Sequence, residues 1–141
     1  MQVIKSHQHC IACSERHLIP SLALNFDWLD KDCIHSRFFV ESEYQGYEGI
    51  LHGGVASTLL DAVMTHHLLE RNIMAVTGSL KLRFHQSVLV NQWVELFASE
   101  VSFRHGVHQM RSTLQLANQK IAIEATAHFM PMHESCCELQ E

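Results

Sequence analysis

The hydrophobic pattern changes period along this chain, and the longest apolar segment is helical. From Gly49 to Leu69 a single formal charge, Asp61, sits among Val55, Ala56, Leu59, Leu60, Ala62, Val63, Met64, Leu68 and Leu69. No proline interrupts, and Glu70-Arg71-Asn72 ends the run with polar residues. At 100° per residue these side chains cover most of a circumference, so the segment predicts a helix from near Gly54 that is buried on nearly all sides. One polar seam is left: Ser57, Asp61 and Thr65 stand at i, i+4 and i+8 and stack on one stripe.

The rest of the chain reads in strands. Leu22 to Phe26 alternates, residues 33 to 44 are rich in aromatic and branched side chains, and four more candidates follow at Met74 to His85, Trp93 to Phe103, Val107 to Ala117 and Ile121 to Met130. In the last, Ile121, Ile123, Ala125, Ala127 and Phe129 share one face and Glu124, Thr126 and His128 the other. Arg104-His105-Gly106 and Asn118-Gln119 are short enough for hairpin turns, which makes the final three strands an antiparallel meander. One long helix with about five or six antiparallel strands implies an α+β fold, a curved sheet wrapped around a central helix. A sheet covers such a helix on part of its surface only, and the remainder is left for a partner.

Two features of the helix carry candidate chemistry. A carboxylate among Leu, Val and Met is costly, so Asp61 is the first functional candidate; the alternative is a structural pairing with Ser57, Thr65 or an interface partner. Gly53 and Gly54 precede the helix, where backbone N–H groups lack partners; without side chains they admit a close approach, and the positive end of the helix dipole suits an oxygen that becomes negative during attack. Asp61 lies eight residues beyond Gly53, roughly 12 Å along the axis, too far for both to act on one carbon. If they cooperate, the acid comes from a second copy with its helix antiparallel, giving two equivalent sites in a two-fold dimer.

Composition narrows the class. The chain of 141 residues, 47% hydrophobic and 18% charged, fits one domain spanning 1–141, with an extension over about 1–20 and a tail over about 132–141. A net charge of −5 without a basic run argues against nucleic acid. Met1 to Cys10 has no apolar secretory core, and the helix is too short and too polar on its seam to span a membrane; a soluble, cytoplasmic protein is expected. The five cysteines, Cys10, Cys13, Cys33, Cys136 and Cys137, are odd in number and cluster at the ends, so reduced thiols are the default. Cys10-x-x-Cys13 with His7, His9 or His17 resembles half a zinc site, and His133, Cys136 and Cys137 complete it only if the termini meet. Twelve histidines are scattered, and no two of them stand at helical spacing together with a carboxylate; neither a metal nor a cofactor is expected. His66 and His67 read as interface or core residues.

His52-Gly53-Gly54 followed by Leu59-Leu60-Asp61 resembles the signature of hot-dog-fold acyl-CoA thioesterases of the phenylacetate-pathway type. The likeness extends to Cys10-Ile11-Ala12-Cys13 and to Tyr44-Gln45-Gly46-Tyr47-Glu48-Gly49, although Ser14 stands where a glycine is usual. The resemblance implies that Asp61 activates water or attacks the thioester, that the Gly53 amide polarises the carbonyl across the dimer interface, and that His52 shapes the loop. It further implies that Thr77, or less readily Ser79, places the water, and that Gln45 is the amide residue found before the histidine. Gly54 and Ser57 line the substrate path. Lys81 and Arg83 alternate with Leu80, Leu82 and Phe84 and share a face with His85; with Arg104 they either hold the phosphates of the CoA nucleotide or form a solvated sheet face. The expected substrate is an acyl-CoA or acyl-carrier-protein thioester, and the expected assembly a homodimer or a dimer of dimers. A non-catalytic acyl-thioester binder and a hydratase or dehydratase on the same fold are the competing classes; the latter needs an Asp-x-x-x-x-His element that the helix entrance lacks.

Overall fold

A computed structural model describes Ala12 and residues 22–132. Cys10, Cys13, Cys136, Cys137 and the terminal histidines considered above lie outside the described residues. The elements run β1 (Phe26–Trp28), β2 (Cys33–Val40), α1 (Gly53–Leu69), β3 (Ala75–Phe84), β4 (Gln92–Arg104), β5 (Val107–Gln115) and β6 (Ile121–Pro131). The strands form one antiparallel sheet in the order β1-β2-β4-β5-β6-β3, and the helix packs across one face of it. This is the α+β arrangement expected from the pattern, and the hot-dog fold that the resemblance implies.

Three differences from that pattern have local causes. The alternation of Leu22 to Phe26 does not form a strand over its length, because Ala23 takes a left-handed conformation (φ 49°) and extended pairing starts only at Phe26. The strand over residues 33 to 44 stops at Val40, and Ser42–Tyr44 close a 3-10 turn instead. In β6 the alternation holds from Ile123 to Phe129, whereas a bulge between the pairs Leu114↔Ile123 and Gln115↔Ile121 leaves Ala122 over; Ala122 is buried and Ile121 is turned outward. The hairpins are tight as expected. His105 and Gly106 both have positive φ (52° and 78°), the primed turn that matches strand twist, and Gln119 (φ 68°) closes the loop from Leu116 to Lys120.

The core lies between helix and sheet. Ala56, Leu59, Leu60, Val63 and Met64 of α1 meet Val94, Leu96, Ala98, Met110, Leu114, Ala125, Ala127 and Phe129. Each large side chain buried here contributes about 1.5–3 kcal/mol, and Leu60→Ala would cost about 2–5 kcal/mol. The helix is not buried all round, however: Val55, Ser57, Thr58, Asp61, Ala62 and Thr65 stay half-exposed on one flank. The sheet curves around the other flank only, so the polar seam opens toward β3.

The last turn of the helix is anchored by its histidines. His66 stacks on Phe26 at 4.1 Å and pairs with Glu70 at 3.0 Å, while His67 meets the Asp32 carbonyl through Nε2 at 2.9 Å and packs its ring against Trp28. Both are buried, as their reading as core residues anticipated. Among the described residues no helix is long and apolar enough to cross a membrane, and no group of His, Cys, Asp and Glu is arranged to hold a metal ion.

Candidate active site

The loop before the helix exists to place one histidine. Gln45 and Leu51 form a bridge, Gly46 N–H donates to the Ile50 carbonyl, and the Gln45 side chain accepts from Gly49 N–H at 2.9 Å, where Gly49 holds φ 79°. His52 then becomes the N-cap of α1, and its Nδ1 accepts the Gly54 N–H at 2.8 Å. The ring lies between two glycines. A Cβ on Gly46 would come within 3.1 Å of it, so the ring would have to give by a few tenths of an ångström, and one on Gly54 within 2.9 Å, so the ring would have to shift and with it the cap. His52 and Gln45 are therefore seen holding backbone amides.

Capping satisfies Gly54 and leaves Gly53. Among the described residues the Gly53 N–H has no hydrogen-bond partner, and the residue is exposed at the helix start. A Cβ there would meet only Phe84, at an ordinary 3.8 Å. Internal packing does not require a glycine here, and the bare backbone is open to an approach from outside.

The acid sits further along the flank. Asp61 is half-buried, and its Oδ1 accepts a hydrogen bond from the Thr77 hydroxyl at 2.6 Å, the short geometry of a charge-assisted bond. The other hydroxyls of the seam bond back to the helix: Ser57 to the Gly53 carbonyl at 2.8 Å, Thr58 to Gly54 at 2.9 Å and Thr65 to Asp61 at 2.9 Å. Ser57 thus stands between Gly53 and Asp61 with its proton already donated.

A bulge decides which residues of β3 face the helix. Thr77 pairs with Phe129 and Ser79 with His128, so Gly78 is the extra residue; a Cβ on it would press on Met130 and the His128 carbonyl at 3.0 and 3.3 Å. Beyond it Leu80, Leu82 and Phe84 pair with the inward Ala127, Ala125 and Ile123, while Lys81 and Arg83 pair with the outward Thr126 and Glu124. Thr77 therefore faces the helix and Ser79 does not. Ser79 meets His128 at 2.9 Å on the outer face, and it cannot replace Thr77 beside Asp61.

The register sets Lys81 and Arg83 on one face opposite Leu80, Leu82 and Phe84, as their alternation predicted. Lys81 and Arg83 border an outer-face groove of about 380 Å³ together with Arg111, which pairs with Glu124 at 3.5 Å; His85 reaches the same Glu124 at 3.1 Å. This face is opposite the one that carries Gly53, Asp61 and Thr77. Arg104 ends β4, three strands from β3 and at the other end of the sheet, roughly 25 Å from Arg83 by strand spacing and rise. One nucleotide beside Gly53 is not held by these three residues together within a single chain.

One feature escaped the sequence reading. Gly53 and Phe84, with Leu51, Val88 and Ile123, border a cavity of about 310 Å³ at the helix start. Its walls come from three separate stretches, 50–53, 84–88 and Ile123, and no periodicity announces that they meet. The Gly78 bulge, in contrast, had a signal, because a lone glycine inside a strand pattern marks such a site.

The chain carries the hot-dog fold seen in solved thioesterase superfamily proteins. The model of that superfamily matches residues 48–114, which include the helix and its glycines. A crystal structure of a thioesterase superfamily protein superposes with a TM-score of 0.82 at 16% identity, over 92% of this chain and 69% of that one. The smu.793 protein of Streptococcus mutans, solved bound to acetyl CoA, gives 0.72 at 16% identity, over 77% of this chain and 88% of that one. The PaaI protein of Escherichia coli, from the phenylacetic acid degradation operon, gives 0.72 at 13% identity, over 77% and 83%. No curated protein matches the chain significantly. The resemblance drawn from the His-Gly-Gly and Leu-Leu-Asp segments is thus borne out at the level of the fold, and the stretch that the superfamily model matches contains both segments.

Proposed function

We propose that this chain hydrolyses an acyl-CoA thioester in a two-fold dimer whose two sites each combine the Gly53 amide of one protomer with Asp61 of the other. The observation that carries the reading is the 2.6 Å bond tying Asp61 to Thr77 on a strand whose outer edge pairs with nothing among the described residues. An open edge of ten residues bearing exposed Val76, Leu80 and Phe84 calls for a cover.

The register of that edge supports the geometry. Two copies of β3 pairing antiparallel around Lys81 set Leu80 opposite Leu82 and Ser79 opposite Arg83, each pair on a common face. The Gly78 bulge then skips one residue, so Thr77 falls opposite Phe84. Thr77 holds Asp61, and Phe84 borders Gly53. Pairing through this edge therefore brings each acid to the other protomer's bare amide, which a single helix cannot do.

In this site the thioester carbonyl oxygen lies at the Gly53 N–H, and Asp61 either takes a proton from the attacking water or adds to the carbon itself. In the first route the proton that Asp61 takes from water passes to the sulfur as the C–S bond breaks; in the second the carboxylate displaces the thiolate to give a mixed anhydride, which water hydrolyses to the free acid and the Asp61 carboxylate while the released proton goes to the thiolate. A donor of this kind contributes about 3 kcal/mol to the barrier, and a positioned base about 10² to 10⁴ in rate. The substrate being CoA-linked draws on the acetyl CoA bound by the Streptococcus mutans relative.

Asp61→Asn should nearly abolish thiol release from acyl-CoA while sedimentation still shows a folded dimer. Mixing Asp61→Asn with Gly53→Val chains, each inactive alone, should restore activity, because a mixed dimer holds one intact site. An active Asp61→Asn protein, or an active monomer, rejects the reading.

A further inference from the structure

The cavity behind Gly53 has the shape and chemistry to choose the substrate's acyl group. Leu51, Val88 and Ile123, all buried, form its inner wall, the exposed Gln86 and Ser87 border its rim, and Phe84, about half exposed, stands at the mouth with its ring tip against the Gly53 backbone. The frame is fixed by backbone bonds: Leu51 N–H donates to Val88, Ile50 bridges to Leu89, and Gln86 N–H donates to Ala122. Such a cavity is already formed before anything enters it.

We infer that this cavity receives the acyl chain, with Phe84 setting how long or how bulky that chain is. The inference rests on the thioesterase reading, which puts the reacting carbon at the Gly53 amide on the cavity's rim. Two arms leave that carbon. The pantetheine arm carries amides that need partners and leads to a charged nucleotide that needs solvent, whereas the inner wall here offers Leu, Val and Ile and no charge. The apolar acyl arm is the one whose transfer into this space is favourable. A volume of about 310 Å³ stands at the small end of ligand cavities, which fits a short or single-ring acyl group and not a long fatty chain.

The experiment compares kcat/KM across acyl-CoAs of increasing chain length, and a phenylacetyl thioester, for the native protein, Phe84→Ala and Ile123→Phe. The native profile should fall by about tenfold or more for each group that no longer fits. Phe84→Ala should raise the ratio of long-chain to short-chain kcat/KM by about tenfold, and Ile123→Phe should lower it. A change of the same factor at every length would assign the cavity to the pantetheine arm and overturn the inference. Affinities of non-hydrolysable alkyl-thioether CoA analogues for the Asp61→Asn protein separate the two claims: length selection that tracks Phe84 in binding supports the inference even if no substrate is turned over. Binding insensitive to chain length in both proteins overturns it.

Discussion

Thr77→Val tests whether the hydroxyl that contacts Asp61 is part of the machinery. Valine keeps the branched shape and strand preference of threonine and removes only the donor of the 2.6 Å bond. A hydrogen bond to a charged group is worth about 1.5–3 kcal/mol, and the low end applies because Thr77 is exposed at the edge of the sheet. At 1.36 kcal/mol per factor of ten, kcat should drop about tenfold. KM should barely move, since the hydroxyl touches the acid and not the substrate. Folding stability should change by no more than about 0.5 kcal/mol at so open a position. Thiol-release kinetics on Thr77→Val and Thr77→Ser, with thermal melts on both, read each quantity. Serine should restore most of the rate. A valine variant as fast as the native protein, or a serine variant as slow as valine, would refute the claim that this hydroxyl positions Asp61.

Further tests bear on the cap, the edge and the helix end. His52→Ala removes the bond to Gly54 N–H and should cost about 1 kcal/mol, lowering the melting midpoint by a few degrees, whereas His52→Asn, itself a good N-cap, should recover most of the loss; equal melts for all three would show that the cap contributes nothing. Pairing of β3 around Lys81 sets this lysine against its own copy, and like charges directly opposite are unfavourable, so Lys81→Thr should tighten dimerisation by about 0.2–1 kcal/mol in sedimentation at low salt and less at high salt; weaker dimers would rule out this register. Acid should destabilise the fold in two ranges. Burial pushes the His67 imidazole below its ordinary 6.5, so its stabilising contribution is complete above about pH 6.5 and is lost as pH falls toward the folded value. For Glu100 burial acts upward, but hydrogen bonds from Arg71 and His108 overcome it and hold the carboxyl below its ordinary 4.5, so its contribution is lost only below that pH. Melting midpoints from pH 7 to 5 should fall in the native protein and flatten in His67→Leu; a flat native profile contradicts the assignment.

How far the sequence revealed this site follows from the range of each interaction. The helix from Gly53 to Leu69, the isolation of Asp61 on it and the glycines before it are local facts, fixed by a period of 3.6 and by one costly charge, and they were legible directly. The strands were legible as segments, and so was the alternation of Lys81 and Arg83 with Leu80, Leu82 and Phe84; what was not legible is that a single inserted residue, Gly78, reverses the parity between Thr77 and everything after it, so that Thr77 faces the helix while Ser79, Lys81 and Arg83 face away. The role of His52 was open in the sequence for a different reason. A histidine before two glycines suits both proton transfer and capping, and only the 2.8 Å bond to Gly54, with the ring seated between Gly46 and Gly54, shows what the side chain is doing here. That arrangement links the two readings of the helix start. By taking Gly54's amide for itself, the ring leaves Gly53's as the one near Phe84 and the cavity, the donor that the proposed site uses.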